Sequence, residues 1–284
     1  MTGGELLTSF VSAYPAQPAT AFWRAVEIGM LARHGLPEGL GLDLGCGDGI
    51  LTDILLRHVE SRTLVGVDVD PLETQAAARF PFYRRVHTCT AGAIPEPDGS
   101  FDFVLSNSVL EHIPDLEGAI AEVARLLRPD GRFVFTVPGP GFHRNLAGSI
   151  LPFVDRTTYL ATLDRRLAHH HYLSPADWRD VCGRNGLAVD ACLGYLDGRE
   201  TRRWETLSRM TGGLLYSLGG ETRRPIEIQR RIGARDLQNK ASLPVSLARA
   251  LGRLISLGCP LDATASAAID PEFASCLLVE GHRA

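Results

Sequence analysis

One lysine, Lys240, stands against 28 arginines in this chain, a skew that reflects the base composition of a gene more readily than a function. No C-x-x-C pair occurs. Cys46, Cys89, Cys182, Cys192, Cys259 and Cys276 are scattered, which argues against a disulfide framework and suits reduced, packed thiols. There is no apolar run of eighteen residues and no basic-then-apolar leader, so neither a membrane span nor secretion is expected, and a cytoplasmic protein is. Positive charge is not in excess either: the net charge is −4, where a general nucleic-acid binder would be basic. What remains is ordinary for a globular protein. With 45% hydrophobic and 22% charged residues over 284 positions, the chain can bury one large α/β core and carry an elaboration.

The informative stretch is Gly41-Leu42-Asp43-Leu44-Gly45-Cys46-Gly47-Asp48-Gly49. Leu40–Leu44 reads as a buried strand and Ile50–Val59 as a helix, with Ile50, Leu51, Ile54 and Leu55 at helical spacing. A strand turning through glycines into a helix offers a ligand bare backbone and a helix N-terminus with unpaired N–H groups. A second buried strand, Thr63–Asp68, ends in a carboxylate nineteen residues past Gly49. That is where a βαβ unit grips the ribose hydroxyls of a nucleoside. Dinucleotide folds use G-x-G-x-x-G; here the third glycine comes one residue early, and Asp43 and Asp48 flank the turn. Two carboxylates would repel a pyrophosphate but suit a ligand carrying an ammonium and a sulfonium.

LDLGCGDG followed by VGVDVDP resembles the first two motifs of the class I S-adenosyl-L-methionine (SAM) methyltransferases. The run Ile94–His112, IPEPDGSFDFVLSNSVLEH, is similar to the branch that contains the ubiquinone and menaquinone biosynthesis enzymes. The three motifs cover about 70 residues in the right order, and they speak to cofactor and fold, hardly to substrate. The resemblance implies a Rossmann-like α/β fold, a seven-stranded, mostly parallel sheet of order 3-2-1-4-5-7-6 with helices on both faces. It implies SAM as methyl donor and S-adenosyl-L-homocysteine as product. The implied cofactor contacts are Asp43, Gly45, Cys46 and Gly47 in the loop, Asp68 and Val69 at the ribose, Thr90 and Ala91 at the adenine, and Asn107 and Arg24 at the methionine. Two departures stand out: Thr90 takes the place of an Asp on the adenine amino group, and Glu96 that of a Phe.

Elsewhere, residues 1–15 read as loosely ordered, and Pro18–Arg33 as an amphipathic helix that caps the sheet or folds over the cofactor. Strands are expected at Tyr83–Cys89, Phe101–Leu105, Arg132–Val137, Leu187–Leu193 and Phe273–Glu280, with helices at Leu116–Leu127 and from Pro175 to Arg184. The expected division is a SAM-binding domain of residues 1–193 plus 272–284, bearing a substrate-cover insertion at 139–172, and a mainly helical insertion at 194–271. The second insertion carries about +4 of charge and the rest about −8. Its stretch 243–257 sets Leu243, Leu247, Leu251, Leu254 and Ile255 against Arg249 and Arg253, which suits a helix packed on its own domain, a homodimer contact or peripheral membrane contact.

Methyl transfer from a sulfonium disperses charge, so a protein contributes mainly alignment and exclusion of water. A hydroxyl acceptor also needs its proton removed. His143, His170 and His171 are the candidate bases, with His169 beside them; no acid or cysteine near the triplet completes a metal site, and no metal is expected. The expected function is SAM-dependent O-methylation of a small molecule in secondary or specialised metabolism, without nucleic-acid partners. The alternatives are a SAM-binding protein with non-methylating or regulatory use of the fold, and methylation of a lipid- or glycan-linked acceptor at a membrane. A nicotinamide oxidoreductase fits neither the glycine spacing nor the Phe101–His112 run.

Overall fold

The computed structural model describes residues 2–60, 62–150, 152–213, 242–259, 261 and 269–284. Seven strands form one sheet: β1 (Leu40–Leu44), β2 (Thr63–Asp68), β3 (Tyr83–Thr88), β4 (Phe101–Asn107), β5 (Leu127–Pro138), β6 (Leu187–Tyr195) and β7 (Cys276–Arg283). Their order is β3-β2-β1-β4-β5-β7-β6, as the resemblance implies. The first five pair in parallel; β7 runs antiparallel between β5 and β6. Parallel strands covered on both faces must be apolar throughout, and β4 and β5 are: Phe101, Phe103, Val104, Leu105, Phe133, Val134 and Phe135 are all buried.

One face of the sheet packs against α1 (Gly3–Ala13), α2 (Pro18–His34) and α3 (Ile50–Leu56), the other against α5 (Leu116–Leu126) and α8 (Pro175–Arg184). Between them in the chain come α4 (Pro71–Ala77), α6 (Phe142–Asn145) and α7 (Arg156–Leu167). Helix α8 starts as its sequence says, with Ser174 and Asp177 closing a reciprocal cap and Pro175 in the first turn.

The expectation of a loose N-terminus is wrong. Thr2 and Glu5 close a capping box, Thr2 N donating to Glu5 Oε2 at 2.7 Å, and Leu6, Leu7, Phe10 and Val11 are buried against α2 and its neighbours. The final strand begins three residues later than expected, because Phe273 N and Ala274 N both donate to Asp270 O and wind 271–273 into a turn.

Within 194–271 the structure shows α9 (Gly198–Ser208) and α10 (Val245–Ile255); residues 214–241, 260 and 262–268 of that insertion lie outside the described residues, as does Leu151 of the first one. Helix α10 packs only part of the leucine face read from sequence, with Ile255 buried and Leu243 and Leu251 partly buried against the core. It turns Ala248, Gly252 and Ile255 inward, and leaves Leu247 and Leu254 exposed, because the small Ala248 and Gly252 let its backbone come close to Leu7 and Thr8 of α1.

Candidate active site

The glycine loop leaves β1 at the carboxyl end of the sheet, beside the ends of β2 and β4. Gly45, Gly47 and Gly49 all have positive φ, at 80°, 51° and 79°. The reasons differ. A Cβ on Gly45 would land on Val109, whereas a Cβ on Gly47 would meet nothing nearer than Glu73 Oε2 at 4.0 Å. Gly45 is therefore a packing glycine, and Gly47 fronts open space of the kind a ligand occupies.

Asp68, at the end of β2, is tied to that loop: Gly47 N donates to its Oδ2 at 3.0 Å and Asp70 N to its Oδ1 at 2.9 Å. Burial nevertheless leaves its carboxyl above the usual carboxylate range, the mark of an acid short of positive partners. Val69 beside it is 66% exposed, an apolar surface open to a flat ring, and Thr90 and Ala91 follow β3, the strand paired with β2. Cys46 is buried under the loop. Asp43 lies beneath it, its Oδ2 accepting from Thr52 Oγ1 at 2.6 Å and from the Tyr83 hydroxyl; burial raises its carboxyl to about 6. Its carboxylate thus braces β1 against α3 and β3. Glu96, the departure from the family pattern, is a buried clamp that accepts from Arg85 Nε at 2.6 Å and Nη2 at 2.8 Å and pairs with His87 at 2.7 Å.

At the end of β4 a polar knot is built around Glu27 of α2, which is fully buried. Its Oε1 accepts from Ser108 Oγ at 2.5 Å and Tyr195 OH at 3.0 Å, with the Thr136 hydroxyl at 2.9 Å; its Oε2 pairs with Arg24. Arg24, expected at the methionine end of the cofactor, is thus held through Glu27, and Glu27 is spent on the protein. Asn107 is different. Its Oδ1 lies 2.5 Å from Thr136 Oγ1, while its buried Nδ2 has no partner among the described residues. Whichever way the amide is turned, one polar atom is left for a ligand group.

The candidate bases separate. His143, on α6, sets Nε2 2.8 Å from Asp164 Oδ1, and the same oxygen accepts from Tyr172 OH at 2.5 Å. Burial works against ionisation of Asp164, but the bonds from His143 and Tyr172 outweigh it and hold the carboxyl low. His171 Nε2 donates to Ile113 O at 2.8 Å, and His170 is tied by its backbone N–H to Glu111 O. His169, not one of the three, lies beside His112 and Glu111, one ligand-type atom of each lying within 4.8 Å of the others. The acid that the histidine run lacks in sequence comes from the far end of β4. Burial pushes Glu111 up to about 8, and burial, with the His112 charge next, pulls His169 down to about 3. Of the apolar residues in 139–172, Phe142 and Leu146 are buried and Tyr172 stacks on Phe142, whereas Ile150 and Phe153 are 76% and 80% exposed.

The residues present fit SAM: an open glycine cradle, a carboxylate tied to it, an exposed apolar step and an unpartnered amide. Replacing Asp68 by Ala should weaken S-adenosyl-L-homocysteine by about 10- to 100-fold, the worth of charge-assisted hydrogen bonds of roughly 1.5–3 kcal/mol. Calorimetry on the folded variant decides; unchanged affinity would remove Asp68 from the ribose.

A family model described as a methyltransferase domain matches residues 42–135. A demethylmenaquinone methyltransferase of Tropheryma whipplei is 30% identical over 201 residues, 66% of this chain and 77% of that one. A malonyl-[acyl-carrier protein] O-methyltransferase of Halorhodospira halophila is 37% identical over 111 residues, a match that spans only 38% of either protein. A solved geranyl diphosphate C-methyltransferase of Streptomyces coelicolor, 15% identical, superposes over 92% of this chain and 77% of its own with a TM-score of 0.50, a likeness of fold. No helix among the described residues is long and apolar enough to cross a membrane. With the matching sheet order, the glycine cradle and the carboxylate at the end of β2 tied to it, the chain belongs to the class I SAM-dependent methyltransferases.

Proposed function

We propose that this enzyme methylates a hydroxyl oxygen of an apolar small molecule, in secondary or specialised metabolism, with His143 as the proton acceptor. The observation that carries the reading is the His143–Asp164 pair. Asp164 accepts the Nε2 proton, which leaves Nδ1 as the lone-pair nitrogen of a neutral imidazole, and the carboxylate stabilises the imidazolium that forms once a proton is taken. Around the pair, Phe142, Tyr172, Trp23 and Trp204 form a continuous aromatic layer, which suits an apolar acceptor. The O-methyltransferase among the relatives supports an oxygen acceptor; the variety of their named substrates leaves its identity to experiment.

Bound SAM supplies the methyl group on a sulfonium that leaves as a neutral thioether. The chain's part is to hold the ribose at Asp68, accommodate the adenine between Val69 and Ala91, satisfy Asn107 with a polar group of the methionine portion, and keep water away.

Transfer of labelled methyl from SAM to a panel of phenols, catechols and hydroxy acids tests the reaction class. With an acceptor in hand, His143→Ala should lower the single-turnover rate by about 100-fold with cofactor affinity intact. His170→Ala and His171→Ala should cost far less, because His171 is committed to a backbone carbonyl and His170 is held through its backbone. Near-full rates in all three variants would reduce residues 139–172 to a cover.

A further inference from the structure

We propose that Glu111, His112 and His169 form a binding site for one divalent transition-metal cation of the zinc class. Glu111 and His112 lie in the 3₁₀ turn that follows β4, and His169 lies just past α7, so the site joins the sheet end to the first insertion. Glu111 Oε1 is 3.9 Å from His112 Nε2, and one ligand-type atom from each of the three residues lies within 4.8 Å of the other two. Bonds of about 2.0–2.2 Å to a tetrahedral ion would place ligand atoms roughly 3.3 Å apart, so small side-chain rotations close the set.

Three further observations point the same way. Glu111 is 2% exposed and its Oε2 has no hydrogen-bond partner among the described residues, so a buried carboxyl oxygen is left with an unmet polar requirement. Both imidazoles are turned so that Nε2 carries the lone pair. His112 Nδ1 lies 2.9 Å from Ala168 O, which can only accept. His169 Nδ1 lies 3.0 Å from Tyr172 OH, whose own proton goes to Asp164, so that Nδ1 must be the donor as well. Outer partners of this kind, a backbone carbonyl for one ring and a tyrosine–carboxylate relay for the other, fix the tautomer and raise the basicity of ligating histidines.

Two imidazoles and one carboxylate are the ligand set of open rather than closed zinc sites, with a position left for an oxygen ligand. If the O-methylation reading holds, that position suits the acceptor oxygen; the cation site itself does not depend on that reading.

The test uses the full chain stripped with a chelator and titrated with Zn2+ by calorimetry and with Co2+ by visible absorption. One equivalent should bind, and Co2+ should give the d–d bands of a low-coordinate nitrogen–oxygen site. Glu111→Gln and His169→Ala should each weaken Zn2+ by at least about 100-fold, beyond the 10- to 100-fold typical of losing an outer partner. His282→Ala, which removes a surface histidine paired with Asp190, should leave the affinity unchanged. If either core variant unfolds, His112→Asn decides, since that ring is 41% exposed and its loss spares the interior. No stoichiometric Zn2+ binding by the native chain, or wild-type affinity in the folded variants, would overturn the site.

Discussion

Gly47→Val should abolish measurable binding of S-adenosyl-L-homocysteine, a loss of more than about 100-fold, while the chain still folds. The argument rests on what surrounds each loop glycine. Gly47 has φ of 51° and a Cβ built there finds no protein atom closer than 4.0 Å, so the cost to the fold is the left-handed backbone alone. For a β-branched residue that cost is about 1–3 kcal/mol, a drop of several degrees in Tm for a chain of this size. The branched side chain would stand in the space beside Asp68, whose Oδ2 already accepts the Gly47 N–H. Gly45→Ala is the contrast: its Cβ lands on Val109, so stability should fall first and affinity only as a consequence. Calorimetry and thermal unfolding on both variants separate the two cases. Normal affinity in Gly47→Val would mean that the loop does not approach the cofactor.

The contrast between the glycines also shows how much could be read from the sequence. Their spacing, and Asp68 nineteen residues on, are local patterns set by one βαβ unit, and the structure reproduces that unit. The strand order came from the family likeness; no periodicity specifies that β7 inserts between β5 and β6. The capping box at Thr2 and the apolar Leu6, Leu7, Phe10 and Val11 were legible signals of α1, outweighed in the reading by the habit of termini to fray. Other features were out of reach. That Asp43 braces Thr52 and Tyr83, and that Glu96 clamps Arg85 and His87, depends on which strands lie side by side. His169 meets Glu111 and His112 across more than fifty residues of chain, so the histidine run looked short of an acid when its acid was at the end of another strand. Burial supplies the rest: the shifted acidities of Glu111 and His169 come chiefly from desolvation that only the tertiary fold creates.

Glu27→Ala should be among the most destabilising single changes in the described chain. Sequence spacing sets Arg24 and Glu27 one turn apart, where an exposed pair would contribute only a few tenths of a kcal/mol. The structure puts this pair inside. Glu27 is fully buried, takes hydroxyl groups from Ser108, Tyr195 and Thr136 on one oxygen and Arg24 on the other, and so joins α2 to the ends of β4, β5 and β6. Removing the carboxylate leaves a largely buried guanidinium without its counter-ion and strips an acceptor from three hydroxyls. Breaking a buried pair from one side costs about 3–5 kcal/mol, which corresponds to a Tm lower by roughly 10 °C. Ser108 adds a local consequence: it has φ of 52°, a strained value for a non-glycine residue, and its hydroxyl bond to Glu27 helps to hold it there. Loss of that bond should loosen the turn that carries Asn107 and Glu111, so S-adenosyl-L-homocysteine affinity should fall together with Tm. Glu27→Gln keeps an acceptor oxygen and the side-chain shape but not the charge, and should show a smaller loss of both. Thermal unfolding and calorimetry on the two variants check the order; a Glu27→Ala protein as stable as the native chain would show that the knot is not what joins α2 to the sheet.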